Sequence, residues 1–245
     1  MAELEIARHG KKAIESLVKR EHPLAHRLKE MALEIFTIVF AVTLSIWLHG
    51  LSEHRHEQQQ VQTFLTGLKT DLQGDIRALA DVTKSHHAFD ANFVYLAGLD
   101  PAAKPDPEKF DAAFMMAQSN FFFQPQLSRF EGFKSSGKLI NIENQELLND
   151  ILVLYQGYAA EIENSEGGWR RRHNKMRDYF EERADIGDSP AERYAAVVAP
   201  KGKRMLQAAP AAPQMYERYD SYAKLAARIV KTIDKTYPGA APAPK

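Results

Sequence analysis

The chain has 245 residues, of which 44% are hydrophobic and 26% charged, enough for one medium domain with appendages. Lys+Arg and Asp+Glu are equal at 32 each, so no global positive field draws the chain to nucleic acid. Cysteine is absent, which excludes disulfides, thiolate metal sites and a cysteine nucleophile, and fits cytoplasm and periplasm alike.

Residues 3–20 read as a short amphipathic helix, with Leu4, Ala7, Ile14, Leu17 and Val18 near one face and lysines on the other. Such a helix either lies on an anionic inner leaflet or packs on its own protein. Pro23 interrupts it. From Ile35 to Leu51 there follows an uncharged apolar run at the lower end of the roughly 17–25 residues that span a bilayer. Its hydroxyls, Thr37, Thr43 and Ser45, can be satisfied on helix carbonyls. Trp47 lies where an aromatic interface anchor is expected. A cleaved signal peptide is disfavoured, because a long charge-rich stretch precedes the run and no small-x-small site follows it. Residues 11–30 carry Lys11, Lys12, Lys19, Arg20, Arg27 and Lys29, and residues 52–71 carry only Arg55 and Lys69. Six against two puts the N-terminus in the cytoplasm.

A helical pattern begins at Leu24 and runs to about Leu99. Beyond the span its apolar positions are Val61, Leu65, Leu68, Leu72, Ile76, Leu79, Val82, Phe89, Phe93 and Leu96. The threes and fours average to a bundle seam, with one gap of seven at His86. Gly50, Gly67 and Gly74 are candidate bend points. A turn follows, and Asp106-Pro107 is an N-cap and first-turn pair. Phe110, Phe114 and Met115 give the next apolar face. Asn120-Phe-Phe-Phe-Gln-Pro125 breaks the helix. Leu127 to Ser136 is a short helix that stops at Gly137, suited to a left-handed cap.

Asn144 opens a helix with Leu147, Leu148, Ile151, Leu154, Tyr155 and Tyr158 on its apolar face. The pattern continues through Ile162 and Trp169 to Phe180, broken at Gly167-Gly168. Ser189-Pro-Ala-Glu192 is a capping box. Residues 200–213, rich in proline and alanine, read as a loop. A last helix, 214–236, carries Met215, Tyr219, Tyr222, Ala226, Ile229 and Ile233 at heptad spacing. Residues 237–245 read as a disordered tail.

The expectation is an all-α chain: a cytoplasmic amphipathic segment 1–30, a single transmembrane helix 31–51, and an extracytoplasmic antiparallel helical bundle 52–236 that the span enters directly. The place would be a bacterial inner membrane, with the main domain in the periplasm.

Two stretches carry a resemblance. One is Glu34-Ile35 opening the span, with Ile46-Trp47 and Glu53-His-Arg55. The other is Phe133-Lys-Ser-Ser-Gly-Lys-Leu-Ile140 with Asn144-Gln-Glu-Leu147 and Leu154-Tyr155. Together they resemble a bacterial family of single-span membrane proteins of unknown function, over about residues 30–160. The resemblance implies the topology and no activity.

Within the span, Glu34, Thr37, Ala41, Ser45, His49 and Glu53 share one helix face. Thr37-x3-Ala41-x3-Ser45 is a small-xxx-small pattern that permits close helix contact in lipid. An ionisable residue at Glu34 marks a partner, or reaches the headgroups. His49, Glu53 and His56 can share a face, but without further ligands a solvated helix explains them better than a metal. His86, on the seam, reads as a satisfied core histidine rather than a pH-responsive one. Ser135-Ser-Gly-Lys138 lacks the first glycine, the preceding strand and the Ser/Thr of a phosphate loop. Arg170, Arg171, Arg172 and Lys175 form the densest basic run, an anion or partner patch or merely a solvated face. Phe110, Phe114, Phe121, Phe122, Phe123, Phe130 and Phe133 are core, or line a pocket.

No catalytic or cofactor constellation stands out, so an enzyme is disfavoured. The expected function is an interaction or scaffold protein that assembles as a homo-oligomer or as a subunit of a membrane-protein complex. The alternative is a ligand-sensing module acting through a separate output partner.

Overall fold

A computed structural model describes residues 24–103, 105–183 and 189–237, with side chains from Leu28 onward. Every regular element among them is helical. Two compact units emerge, Met1–Glu57 and Gln58–Lys245. The amphipathic helix expected at 3–20 and the tail beyond Tyr237 lie outside the described residues.

Helix α1 is Leu24–Ala97. In the first unit its large apolar side chains stand open: Phe36 is 65% exposed, Ile46 68% and Trp47 62%. It is the one described helix long and apolar enough to cross a membrane, and none of its most apolar window is buried.

In the second unit the heptad positions bury as the spacing predicts. Val61, Leu65, Leu68, Leu72, Leu79, Phe89, Phe93 and Leu96 of α1 all enter the core. His86 fills the gap of seven and is itself fully buried. Helix α2 is Pro107–Ala117, with the Asp106 carboxylate accepting from the Glu108 and Lys109 N–H groups. Its buried face is Phe110, Ala113, Phe114 and Ala117; Met115 points outward, contrary to expectation. Helix α3, Ser128–Ser135, ends as foreseen at Gly137, whose φ of 73° is left-handed and favours glycine there. A 3-10 turn, Lys138–Asn141, leads to α4, Gln145–Leu152, where the Asn144 side chain accepts from Leu147 N–H.

Helix α4 passes into a π turn, Val153–Tyr158, and then into α5, Ala159–Arg183. The helix does not break at Gly167-Gly168. Its irregularity lies earlier, at the π turn, where apolar spacing gives no warning. Helix α6, Pro190–Val198, has the complete capping box of Ser189 and Glu192.

The loop expected at 200–213 is mostly helix α7, Pro200–Ala208. Proline at the first helical position costs nothing, since that N–H has no helical partner. Leu206 then anchors the helix, fully buried. Gly202 is required by close approach: a Cβ there would lie 2.1 Å from the Ala196 carbonyl oxygen. Helix α8 is Pro213–Thr236, and Met215, Tyr219, Tyr222, Ala226, Ile229 and Ile233 are all buried. Tyr237, assigned to the tail, packs against the core.

Pairings across the core give direction. Lys69 meets Asp234, Asp75 meets Tyr222, and Asp90 meets Tyr216, so α8 runs against α1. Asp150 meets Arg228 and Glu166 meets Tyr219, so α8 also runs against α4 and α5.

Candidate functional site

The sequence singled out one face of α1: Glu34, Thr37, Ala41, Ser45, His49 and Glu53. All six are exposed. The Thr37 hydroxyl donates to the Leu33 carbonyl at 2.8 Å, so it presents no unmet donor. Phe36, Val39, Phe40 and Ile46 on the other faces are equally open. The helix thus offers apolar side chains all round and small or ionisable ones along a single line.

The second unit holds a polar arrangement that sequence reading missed. The segment between α2 and α3, residues 119–127, is irregular, neither helix nor strand. Two buried carboxylates pin it. Glu166 of α5 accepts Phe123 N–H at 2.8 Å, and Asp75 of α1 accepts Gln126 N–H at 3.1 Å. Each also takes a tyrosine hydroxyl from α8: Tyr219 to Glu166 at 2.5 Å and Tyr222 to Asp75 at 2.8 Å. Tyr219 and Tyr222 are three apart and so share a helix face. Burial pushes both carboxyls above their ordinary range, and these hydrogen bonds pull back. One turn before Asp75, Asp71 accepts Arg129 Nε at 2.7 Å. Arg129 packs over Gly67, and Gln126 lies over Gly74, so α1 is approached closely at both glycines.

Beside this clamp a cleft of about 380 Å³ opens between the pinned segment and α5. Phe122, Pro125 and Leu127 form one wall and Ala160, Ile162 and Glu163 the other. Small residues after the π turn, Ala159 and Ala160, leave the space. Glu166 lines it too, at 3% exposure. Its Oε1 takes both the Phe123 and Tyr219 hydrogen bonds, leaving Oε2 without a partner among the described residues.

The basic run does not converge on one point. Arg170 lies 4.6 Å over the Phe122 ring, at the mouth of the cleft. Arg172 donates to the Gly168 carbonyl of its own helix at 3.4 Å. Arg171 and Lys175 are exposed on α5. The phenylalanines divide as well. Phe110, Phe114, Phe123 and Phe130 are buried, Phe133 stacks on Phe64 at 4.0 Å, and Phe122 and Phe123 reach the cleft.

His86 is 0% exposed, and the Phe121 backbone offers its ring a hydrogen bond too poorly formed to satisfy either nitrogen fully, so the reading as a satisfied core histidine is met only in part. The Trp169 ring meets it edge-on at 4.9 Å and stacks on His173 at 4.6 Å. His173 Nε2 lies 2.7 Å from the Ala117 carbonyl, which fixes the proton on Nε2; Nδ1 is unpartnered. Burial lowers the pKa of both histidines. Among the described residues no group of three or more His, Asp or Glu is placed to hold a metal, the His49–Glu53–His56 face included.

No family model, no curated protein and no solved structure matches the chain.

Proposed function

We propose that this is a single-span membrane protein whose helical domain acts by contact, with itself or with other membrane subunits. It belongs in a bacterial inner membrane, with the N-terminus in the cytoplasm and an antiparallel bundle in the periplasm. The resemblance to single-span bacterial proteins of unknown function is part of the same proposal. The observation that carries it is the exposure of α1: its most apolar window has mean hydropathy 2.1 and none of it is buried. A core helix of a soluble protein would be covered, because an open apolar surface of that extent is costly in water. The excess of Lys and Arg before the span supports the orientation.

Topology is testable directly because the chain has no cysteine. Ser16→Cys and Ser119→Cys each introduce a sole thiol. With the outer membrane permeabilised, an impermeant maleimide labels Ser119→Cys and leaves Ser16→Cys unlabelled until the cells are lysed. The opposite pattern refutes the orientation, and labelling of both in intact cells refutes the span.

The contact role predicts a second result. The line Thr37, Ala41, Ser45 allows a neighbouring helix to approach, since small residues bring backbones close in lipid. Ala41→Leu should reduce crosslinked or co-purified complex at least several-fold at native expression, while Val39→Leu, on the opposite side of the helix, leaves it intact. Equal recovery for both variants removes this face from the interaction.

A further inference from the structure

We propose that the cleft between residues 122–127 and α5 binds a small organic cation, an amine carried on an apolar body. This goes beyond contact between proteins, and it asks only that the cleft bind, whatever follows from binding.

Three observations lead there. The first is the volume, about 380 Å³, which lies within the roughly 300–1,000 Å³ of small-molecule sites. The second is the charge of the walls. Glu163 and Glu166 face a single guanidinium, that of Arg170, so the cleft carries an excess carboxylate. Arg170 forms no ion pair with either acid, and its guanidinium instead sits 4.6 Å over the Phe122 ring. The third is Glu166 itself. A carboxyl at 3% exposure is held by two donors on one oxygen, while the other oxygen has no partner among the described residues. Arg170 is the one positive charge that acts on Glu166, and Glu163 beside it adds a second negative one, so an ammonium group supplies the charge and donors that the pair still lacks.

The remaining walls select the body of the ligand. Phe122, Pro125, Leu127 and Ile162 offer apolar surface, with Gln124 and the Tyr155 hydroxyl as the uncharged polar side chains among them. Phe122 already accepts a cation on its face, and aromatic rings favour organic cations there. An anion would meet two carboxylates, Glu163 and Glu166, against the one guanidinium of Arg170, and is disfavoured. The site is also fixed in place, because the Phe123 N–H that Glu166 holds belongs to the wall itself. Little ordering is then left for binding to impose.

Calorimetry on the full chain in nanodiscs, with the heat of empty nanodiscs subtracted, tests this with phenethylamine and phenylacetate. The two share a ring and differ in the sign of their charge. Phenethylamine should bind saturably. Glu166→Gln and Glu163→Gln should each weaken it about tenfold, and Ala160→Trp, which fills the cleft from an exposed position, should abolish it. Glu163 is exposed, so its variant keeps the test sound even where Glu166→Gln unfolds. The proposal is overturned by no saturable binding of phenethylamine, by binding unchanged in Ala160→Trp or Glu163→Gln, or by phenylacetate binding as well as the amine.

Discussion

Asp75→Ala lowers the stability of the helical domain by roughly 3 kcal/mol, because it strands a buried hydroxyl and a partly buried amide at once. For a domain of this size that is a fall in melting temperature of about 6–12 °C. The sum has two parts. The Tyr222 hydroxyl, in a residue with no exposed surface, loses its acceptor, and Gln126 N–H loses its own. Against this stands the relief of a carboxylate that burial already disfavours, which pushes its pKa up. Two orphaned donors outweigh that relief. Tyr222→Phe removes a donor and leaves the Gln126 bond in place, so it costs only about 1 kcal/mol. Tyr155→Phe serves as the control. Its hydroxyl is buried and unpartnered, so its removal costs nothing and can stabilise. Thermal unfolding of the full chain in mild detergent measures all three. Hydrogen exchange locates the effect: the Gln126 amide should exchange faster in Asp75→Ala and keep its protection in Tyr155→Phe. An Asp75→Ala protein as stable as the parent would mean that the carboxylate does not pin the segment.

The helices were legible because burial and heptad spacing agree. Tyr219, Tyr222, Ala226, Ile229 and Ile233 lie at threes and fours in the sequence and are all buried in α8. The caps at Asp106, Asn144 and Ser189 were legible for a different reason: each is a local exchange between a side chain and its own first turn. Helix α7 was misread because proline and alanine suggest a loop by composition. What decides there is position, with Pro200 opening the helix and Leu206 buried one and a half turns later. The π turn left no sign, since Tyr155 and Tyr158 fit an apolar face in either geometry.

The clamp was half-visible. Asp75 falls three residues after Leu72 and four before Leu79, a core position of α1. Glu166 falls four after Ile162 and three before Trp169, a core position of α5. A carboxylate at a core position signals a buried acid in need of donors. The donors were beyond sequence reading. They are backbone N–H groups of an irregular segment and hydroxyls on α8, all distant along the chain. The phenylalanine run 121–123 marked the segment without showing that only its last two rings would reach a cleft.

His86 gives the other large effect, in pH dependence. Both His86 and His173 have pKa values lowered by burial, and each is neutral in the folded chain above the ordinary histidine value of about 6.5. As pH falls through that value the unfolded chain takes up protons that the folded chain resists, so stability falls by about 1.4 kcal/mol per pH unit for each histidine. Asp75 and Glu166 act oppositely. Their folded pKa values are raised, so their cost is felt as pH rises through those values and is relieved on acidification. The histidines therefore lower stability on acidification below about pH 6.5, and protonation of the two buried carboxyls offsets part of that loss. The surroundings of His86 set its share. His173 of α5 and His87 of its own helix disfavour its charge, Asp90 and the Phe121 backbone favour it, and Trp169, Tyr216 and Tyr219 surround it with rings. His86→Leu keeps a side chain of similar size and removes two nitrogens that have no well-formed hydrogen bond. It should halve the slope between pH 6.5 and the carboxyl range and raise the melting temperature at pH 5.5 more than at pH 8. His173→Leu should be the weaker substitution, because it strands the Ala117 carbonyl. A melting temperature that falls on acidification as steeply in His86→Leu as in the parent would place the acid sensitivity in other groups.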